Sequence, residues 1–168
     1  MHKFILLYNE IENLTITELF DQVLKKKKIK IKDLKLVDLI FNKESMVGVY
    51  IFFDEDNTPI YVGKTGSRAI LERLAGHFDL REFGFLNSFL CALSGKRKTR
   101  QGPNATSKEL SDIYETAIEC KMVFIQIPEG NKDKLGLIER SFQKWFQPKY
   151  NQNKVNRVIQ EGVKIKDI

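Results

Sequence analysis

Two tyrosines, a lysine, an arginine, a histidine, one carboxylate and an amide follow one another along this sequence: Tyr50, Tyr61, Lys64, Arg73, His77, Glu139 and Asn151. Phosphodiester hydrolysis is a chemistry that such a set can run. It needs an activated water, neutralised phosphate charge and help for the departing oxygen. Glu139 is the only acidic member. One carboxylate with waters and a phosphate oxygen is a normal way to hold magnesium, which keeps most of its water shell. A two-metal site would want a cluster of carboxylates, and none is visible. Arg73 fits as the fixed positive fork on a phosphate and Lys64 as a nearby point charge. Tyr50, with an ordinary pKa of about 10, is a poor base in water. Beside a metal and cations its phenolate is favoured, so it could take a proton from the attacking water.

The elements that must place these residues are readable. Residues 47–53 are β-branched and aromatic, Asp54 to Pro59 supply turn chemistry, and Ile60-Tyr61-Val62-Gly63 resumes the strand pattern. That predicts an antiparallel hairpin. Alternation puts Val47, Val49 and Ile51 on one face and Gly48, Tyr50 and Phe52 on the other. Each strand sets a tyrosine beside a glycine, where another backbone or a ligand can approach. A helix over 67–78 carries Arg73 and His77 one turn apart, on one side. Cys120–Ile127 reads as a third strand, and Asp133–Phe146 as a helix with Glu139 near its start, ended by Pro148.

The strings Gly48-Val49-Tyr50 and Tyr61-Val62-Gly63, with the order of polar residues behind them, resemble the GIY-YIG nuclease family, with Val in place of Ile in each string. The resemblance covers about residues 46–153. It implies that Tyr50 is the general base and that Tyr61 positions water or substrate. It implies Arg73 and Glu139 as the catalytic and metal-binding pair, with Lys64, His77 and Asn151 completing the catalytic set. The implied cofactor is Mg2+ or Mn2+ and the implied partner is DNA, cut to 5′-phosphate and 3′-hydroxyl ends.

The rest of the chain sets bounds. Its 168 residues suffice for one domain with a sizeable core, and a net charge of +6 favours polyanions without saying anything of fold. Cys91 and Cys120 lie far apart among apolar neighbours, which reads as buried free thiols rather than a zinc site or a disulfide. The apolar start is too short for a signal peptide and no segment reaches membrane-spanning length, so the expectation is an intracellular protein with no membrane partner. Thr15 caps a first helix with Glu18 as its capping-box partner, and Lys25–Lys28 close it. That lysine run is either a helix-end cap or a phosphate-contacting patch. Residues 33–41 read as a second short helix, and Leu80–Leu93 as mostly helical. Ser107 is read as the cap of a helix to Ala117. Lys96, Arg97, Lys98 and Arg100 form a basic loop suited to phosphates and base edges.

The expected fold is α/β in the α+β sense: a small, mainly antiparallel three-stranded sheet flanked by helices. The expected divisions are a helical N-terminal elaboration over 1–45, a nuclease-like domain over 46–153 with a basic insert near 94–106, and a tail over 154–168. The expected function is a metal-dependent DNA endonuclease, of restriction type by its stand-alone size. A double-strand cut then requires a homodimer on DNA or two sequential nicks. A non-catalytic nucleic-acid-binding protein on the same scaffold is the alternative from another class. A repair, mobile-element or structured-RNA nuclease also stays open.

Overall fold

A computed structural model describes residues 3–41, 44–84, 86–96, 105–151 and 155–168. In chain order, a short strand β1 (Ile5–Leu6) leads into one helical turn, α1 (Tyr8–Ile11), and then α2 (Ile16–Lys25). Thr15 caps α2 by accepting from Glu18 N, and the Glu18 carboxylate reaches back to Thr15 N at 2.7 Å. Strand β2 (Ile29–Lys30) follows, then 3-10 turns at Ile31–Asp33 and Leu36–Leu39, and the small pair β3 (Ile40–Phe41) and β4 (Glu44–Ser45). The central hairpin is β5 (Gly48–Phe53) and β6 (Pro59–Thr65). Helices α3 (Ile70–His77), α4 (Ser88–Leu93) and α5 (Ser107–Glu119) come next, then β7 (Lys121–Gln126). A 3-10 turn, Glu129–Lys134, runs into α6 (Leu135–Phe146), which ends where Gln147 takes a left-handed conformation (φ 45°) ahead of Pro148.

The fold is a mixed α/β arrangement, with a five-stranded sheet ordered β1–β7–β5–β6 and β2 also paired to β7. β6 and β7 both pair antiparallel with β5. The sheet is wider than the three strands expected. β1 joins β7 in parallel and β2 joins it antiparallel, so the N-terminal segment completes the sheet and is not only a helical elaboration. The physical reason is edge coverage: β7 would otherwise present a row of unpaired backbone groups.

Three helix expectations need correction. Residues 33–41 form 3-10 turns and a strand instead of a helix. Leu36 and Val37 are 74% and 65% exposed, so their apolar run does not mark a buried helical face. Among the described residues of 80–93 only Ser88–Leu93 is α-helical; ahead of it, Asp79 O and Arg81 O accept from the Asn87 amide. Helix α5 is capped by Thr106, not Ser107, through a capping box with Glu109.

Strand alternation divides the core. Tyr50, Phe52 and Tyr61 point to the face covered by α3, α4 and α5, with Ile70, Leu74 and Phe89. Val49, Ile51, Phe53 and Val62 point to the opposite face, against α2 and α6, where Phe20 meets Phe142 edge to face at 4.6 Å. Each buried aliphatic or phenyl side chain contributes about 1.5–3 kcal/mol, so this two-faced packing anchors the hairpin between its helices. Both cysteines are buried thiols, and Cys91 Sγ donates to Asn87 Oδ1 at 3.6 Å. No described helix is long and apolar enough to cross a membrane.

Candidate active site

The candidate residues converge on the outer strand of the hairpin, near Gly63. Tyr50 on β5 stands directly across from Gly63 on β6. A side-chain carbon at Gly63 would lie 2.2 Å from the Tyr50 hydroxyl and 2.3 Å from its Cζ, so the glycine is what lets the ring lie over β6. Helix α3 brings Arg73 and His77 to the same hydroxyl from consecutive turns. Arg73 Nε donates to Tyr50 Oη at 3.0 Å, and Tyr50 Oη lies 2.6 Å from His77 Nε2. Tyr50 and His77 are both fully enclosed, at 0% exposure. Burial pushes the Tyr50 hydroxyl well above the ordinary phenol range, Tyr61 adds to the shift, and Arg73 pulls against it. Tyr50 is therefore neutral. Its oxygen accepts from Arg73, and its bond with His77 takes its direction from the imidazole tautomer: with the ring proton on Nδ1, His77 Nε2 accepts from the Tyr50 hydroxyl.

Tyr61 packs beside this group, its ring edge-on to His77 at 5.4 Å and stacked on Tyr50 at 6.3 Å. Its hydroxyl lies 3.3 Å from Ser88 Oγ at the start of α4, and at 8% exposure it is the more open of the two tyrosines. Burial opposes the charge on Arg73, but the Tyr50 and Tyr61 hydroxyls facing it hold its pKa above the ordinary arginine value.

Lys64, on the other face of β6, reaches α6. Its Nζ lies 3.2 Å from Glu139 Oε2, with side chains 43% and 17% exposed. Burial raises the Glu139 carboxyl above its usual range, against the opposing pull of Lys64, Arg140 and Arg73. That Arg73 and Glu139 sense each other, as do Tyr50 and Glu139, places both halves of the cluster within electrostatic reach. Glu139 is the oxygen donor suited to a hard cation. Among the described residues no three His, Cys, Asp or Glu side chains gather to hold one, so a magnesium ion there would draw its remaining ligands from water and substrate oxygens.

Asn151 lies outside the cluster's polar network. Its Oδ1 accepts from Val62 N at 2.6 Å and its Nδ2 donates to Val62 O at 2.8 Å, so it fixes the β6 backbone one residue before Gly63. Lys96 of the basic loop pairs with Glu109 at 3.3 Å. Arg97, Lys98 and Arg100 lie outside the described residues. Ser88 and Gly136 carry no functional signal in the sequence, and Arg140, next to Glu139, reads there only as helix surface. Cavities of about 430 Å³, between Tyr8 and Met46, and about 570 Å³, ringed by Lys3, Lys27, Lys28 and Lys121, lie away from the cluster. Compared with protein-family models, with curated proteins and with solved structures, this chain matches none.

Proposed function

We propose that this protein is a metal-dependent endonuclease of GIY-YIG type that hydrolyses phosphodiester bonds in DNA, with a site-specific, restriction-like role. The observation that carries this reading is the joining of Tyr50, Arg73 and His77 with Lys64 and Glu139 from four separate elements around Gly63. Packing alone does not require two cations, a carboxylate and two hydroxyls at one strand edge. Phosphoryl chemistry uses all of them.

Glu139 would hold Mg2+ or Mn2+, and a bound divalent ion supplies phosphate neutralisation and a more acidic water. Arg73 supplies a fixed cation to the scissile phosphate. When the phosphate draws the guanidinium toward itself, the Tyr50 oxygen loses its donor and exposes a lone pair. Tyr50 then takes the proton of the attacking water as its own proton passes to His77 Nε2. The water oxygen bonds to phosphorus, the P–O3′ bond breaks, and the leaving oxygen takes a proton from solvent. This relay lets a tyrosine with a raised pKa serve as base without ever standing as a phenolate. Tyr61 orders the water, and Lys64, exchanging Glu139 for substrate, contributes a second positive charge.

A second reading has its own support. The enclosed Tyr50 and the closed Lys64–Glu139 pair make a self-satisfied cluster, as a non-catalytic nucleic-acid-binding protein would carry. A supercoiled-plasmid assay separates the two. Magnesium-dependent nicking or linearisation, abolished by EDTA, Glu139→Ala and Tyr50→Phe, establishes the nuclease, and discrete fragments establish site specificity. A mobility shift on varied DNA with no cleavage in any metal establishes the binding protein.

A further inference from the structure

Gly136 sits in the first turn of α6, where alanine would be the better helix former. A side-chain carbon there would come 3.2 Å from Arg140 Nη1 and 3.3 Å from Lys64 Nζ. Two cationic heads therefore flank a bare stretch of helix backbone. Lys64 is matched by Glu139 at 3.2 Å. Arg140 is held differently: its Nε donates to Arg157 O at 3.0 Å, which aims the guanidinium, while neither terminal nitrogen has a hydrogen bond or ion pair among the described residues. Its charge acts on Glu139 without a direct ion pair, and the two terminal N–H arms of its guanidinium fork suit the oxygens of one phosphate. Glycine leaves the room that a side chain would fill.

From this geometry we infer that Gly136, Arg140 and Lys64 form a notch for a second backbone phosphate, next along the strand from the one held by Arg73. The inference rests on the nuclease reading for its substrate and adds Arg140 and Gly136 to the binding surface. Arg140 is a substrate-binding residue; Arg157, through its carbonyl, positions it.

The test is fluorescence anisotropy with a labelled DNA duplex in EDTA across a potassium chloride series. Arg140→Ala is expected to weaken binding about three- to tenfold and to lower the salt slope by about one. Gly136→Ala keeps the helix and both cations but fills the notch, and is expected to weaken binding in the same direction without lowering the melting temperature. An unchanged slope and affinity in both variants would overturn the notch. If Arg140→Ala also melts lower, Gly136→Ala decides. Cleavage measured on the same proteins keeps the two readings apart. Binding with the Arg140 effect but no turnover sinks the nuclease and keeps the notch. Turnover with no Arg140 or Gly136 effect does the reverse. In a parallel arm, inorganic phosphate replaces chloride at equal ionic strength. Extra competition in the unaltered protein, absent from Arg140→Ala, would assign the notch to a free or terminal phosphate and overturn the internucleotide assignment.

Discussion

Asn151 holds Val62 by both ends of its peptide, accepting from the N–H at 2.6 Å and donating to the C=O at 2.8 Å. An amide side chain is the one polar group that can copy a backbone partner in this way. Asn151→Ala is expected to destabilise the protein by about 1–3 kcal/mol, leaving Val62 N without its partner and Val62 O with only the longer bond from Gln143 Nε2 at 3.4 Å. That lowers the melting temperature by several degrees in a chain of this size. Asn151→Asp, which keeps the acceptor and loses the donor, should fall between the two. Unchanged melting with abolished cleavage would instead place Asn151 on the substrate.

The hydroxyl of Tyr50 serves Arg73 and His77 at once. Tyr50→Phe is expected to cut single-turnover cleavage by about 10²- to 10⁴-fold and to destabilise by about 1–3 kcal/mol, because two buried donors and acceptors lose their partner. His77→Asn, at a position that touches no phosphate, should lower the rate by a comparable factor while leaving duplex affinity unaltered. Full activity in His77→Asn would end the relay.

Glu139 gives a pH signature. Its folded-state pKa is raised, with burial outweighing the pull of Lys64, Arg140 and Arg73. The group therefore adds stability below the unfolded carboxylate value of about 4.3, and that stability is lost as pH rises through the folded value. Glu139→Gln should melt above the unaltered protein at neutral pH, by about 2–4 °C for each ~1 kcal/mol, with the difference vanishing in acid. Magnesium should raise the melting point of the unaltered protein and leave Glu139→Gln where it was. A variant that melts lower at neutral pH would show the Lys64 pair to be the stronger influence.

Gly63 is the steric partner of Tyr50. Gly63→Ala puts a methyl 2.2 Å from the hydroxyl, so the ring must leave its position over β6. The expected outcome is a loss of about 1–3 kcal/mol together with loss of cleavage. Combining Gly63→Ala with Tyr50→Val should recover stability but not activity. Strictly additive melting shifts in the double variant would show that the two residues do not press on each other.

Period-two alternation over 48–53 placed Tyr50 and Phe52 on one face and Val49 and Ile51 on the other, and the chain follows it. The i, i+4 spacing of Arg73 and His77 likewise foretold that they share a side. Long-range pairings were not legible. Nothing local in Ile5–Leu6 or Ile29–Lys30 says that both edge β7, because that pairing depends on a strand more than ninety residues away. The helix expected over 33–41 does not form, because apolar residues at helical spacing imply burial, yet Leu36 and Val37 face outward. For the site, residue types gave the inventory but not its enclosure. The burial of Tyr50 and His77 comes from Phe52, Phe89 and Tyr61 closing around them, a feature of packing that spacing along the chain does not encode.

The hold of Asn151 on Val62 has a colloidal consequence. β6 is the outer strand of the sheet, and an open strand edge is a template on which another copy can add. Asn151 takes both outward groups of Val62, and Tyr150 N donates to Ile60 O at 3.0 Å, so the segment after α6 works as a stopper along that edge. A shortened chain ending at Pro148 would bare Val62 N and Ile60 O beside the aromatic Tyr61, leaving Val62 O only the Gln143 amide at 3.4 Å. It should self-associate side by side at concentrations where the full chain stays dispersed.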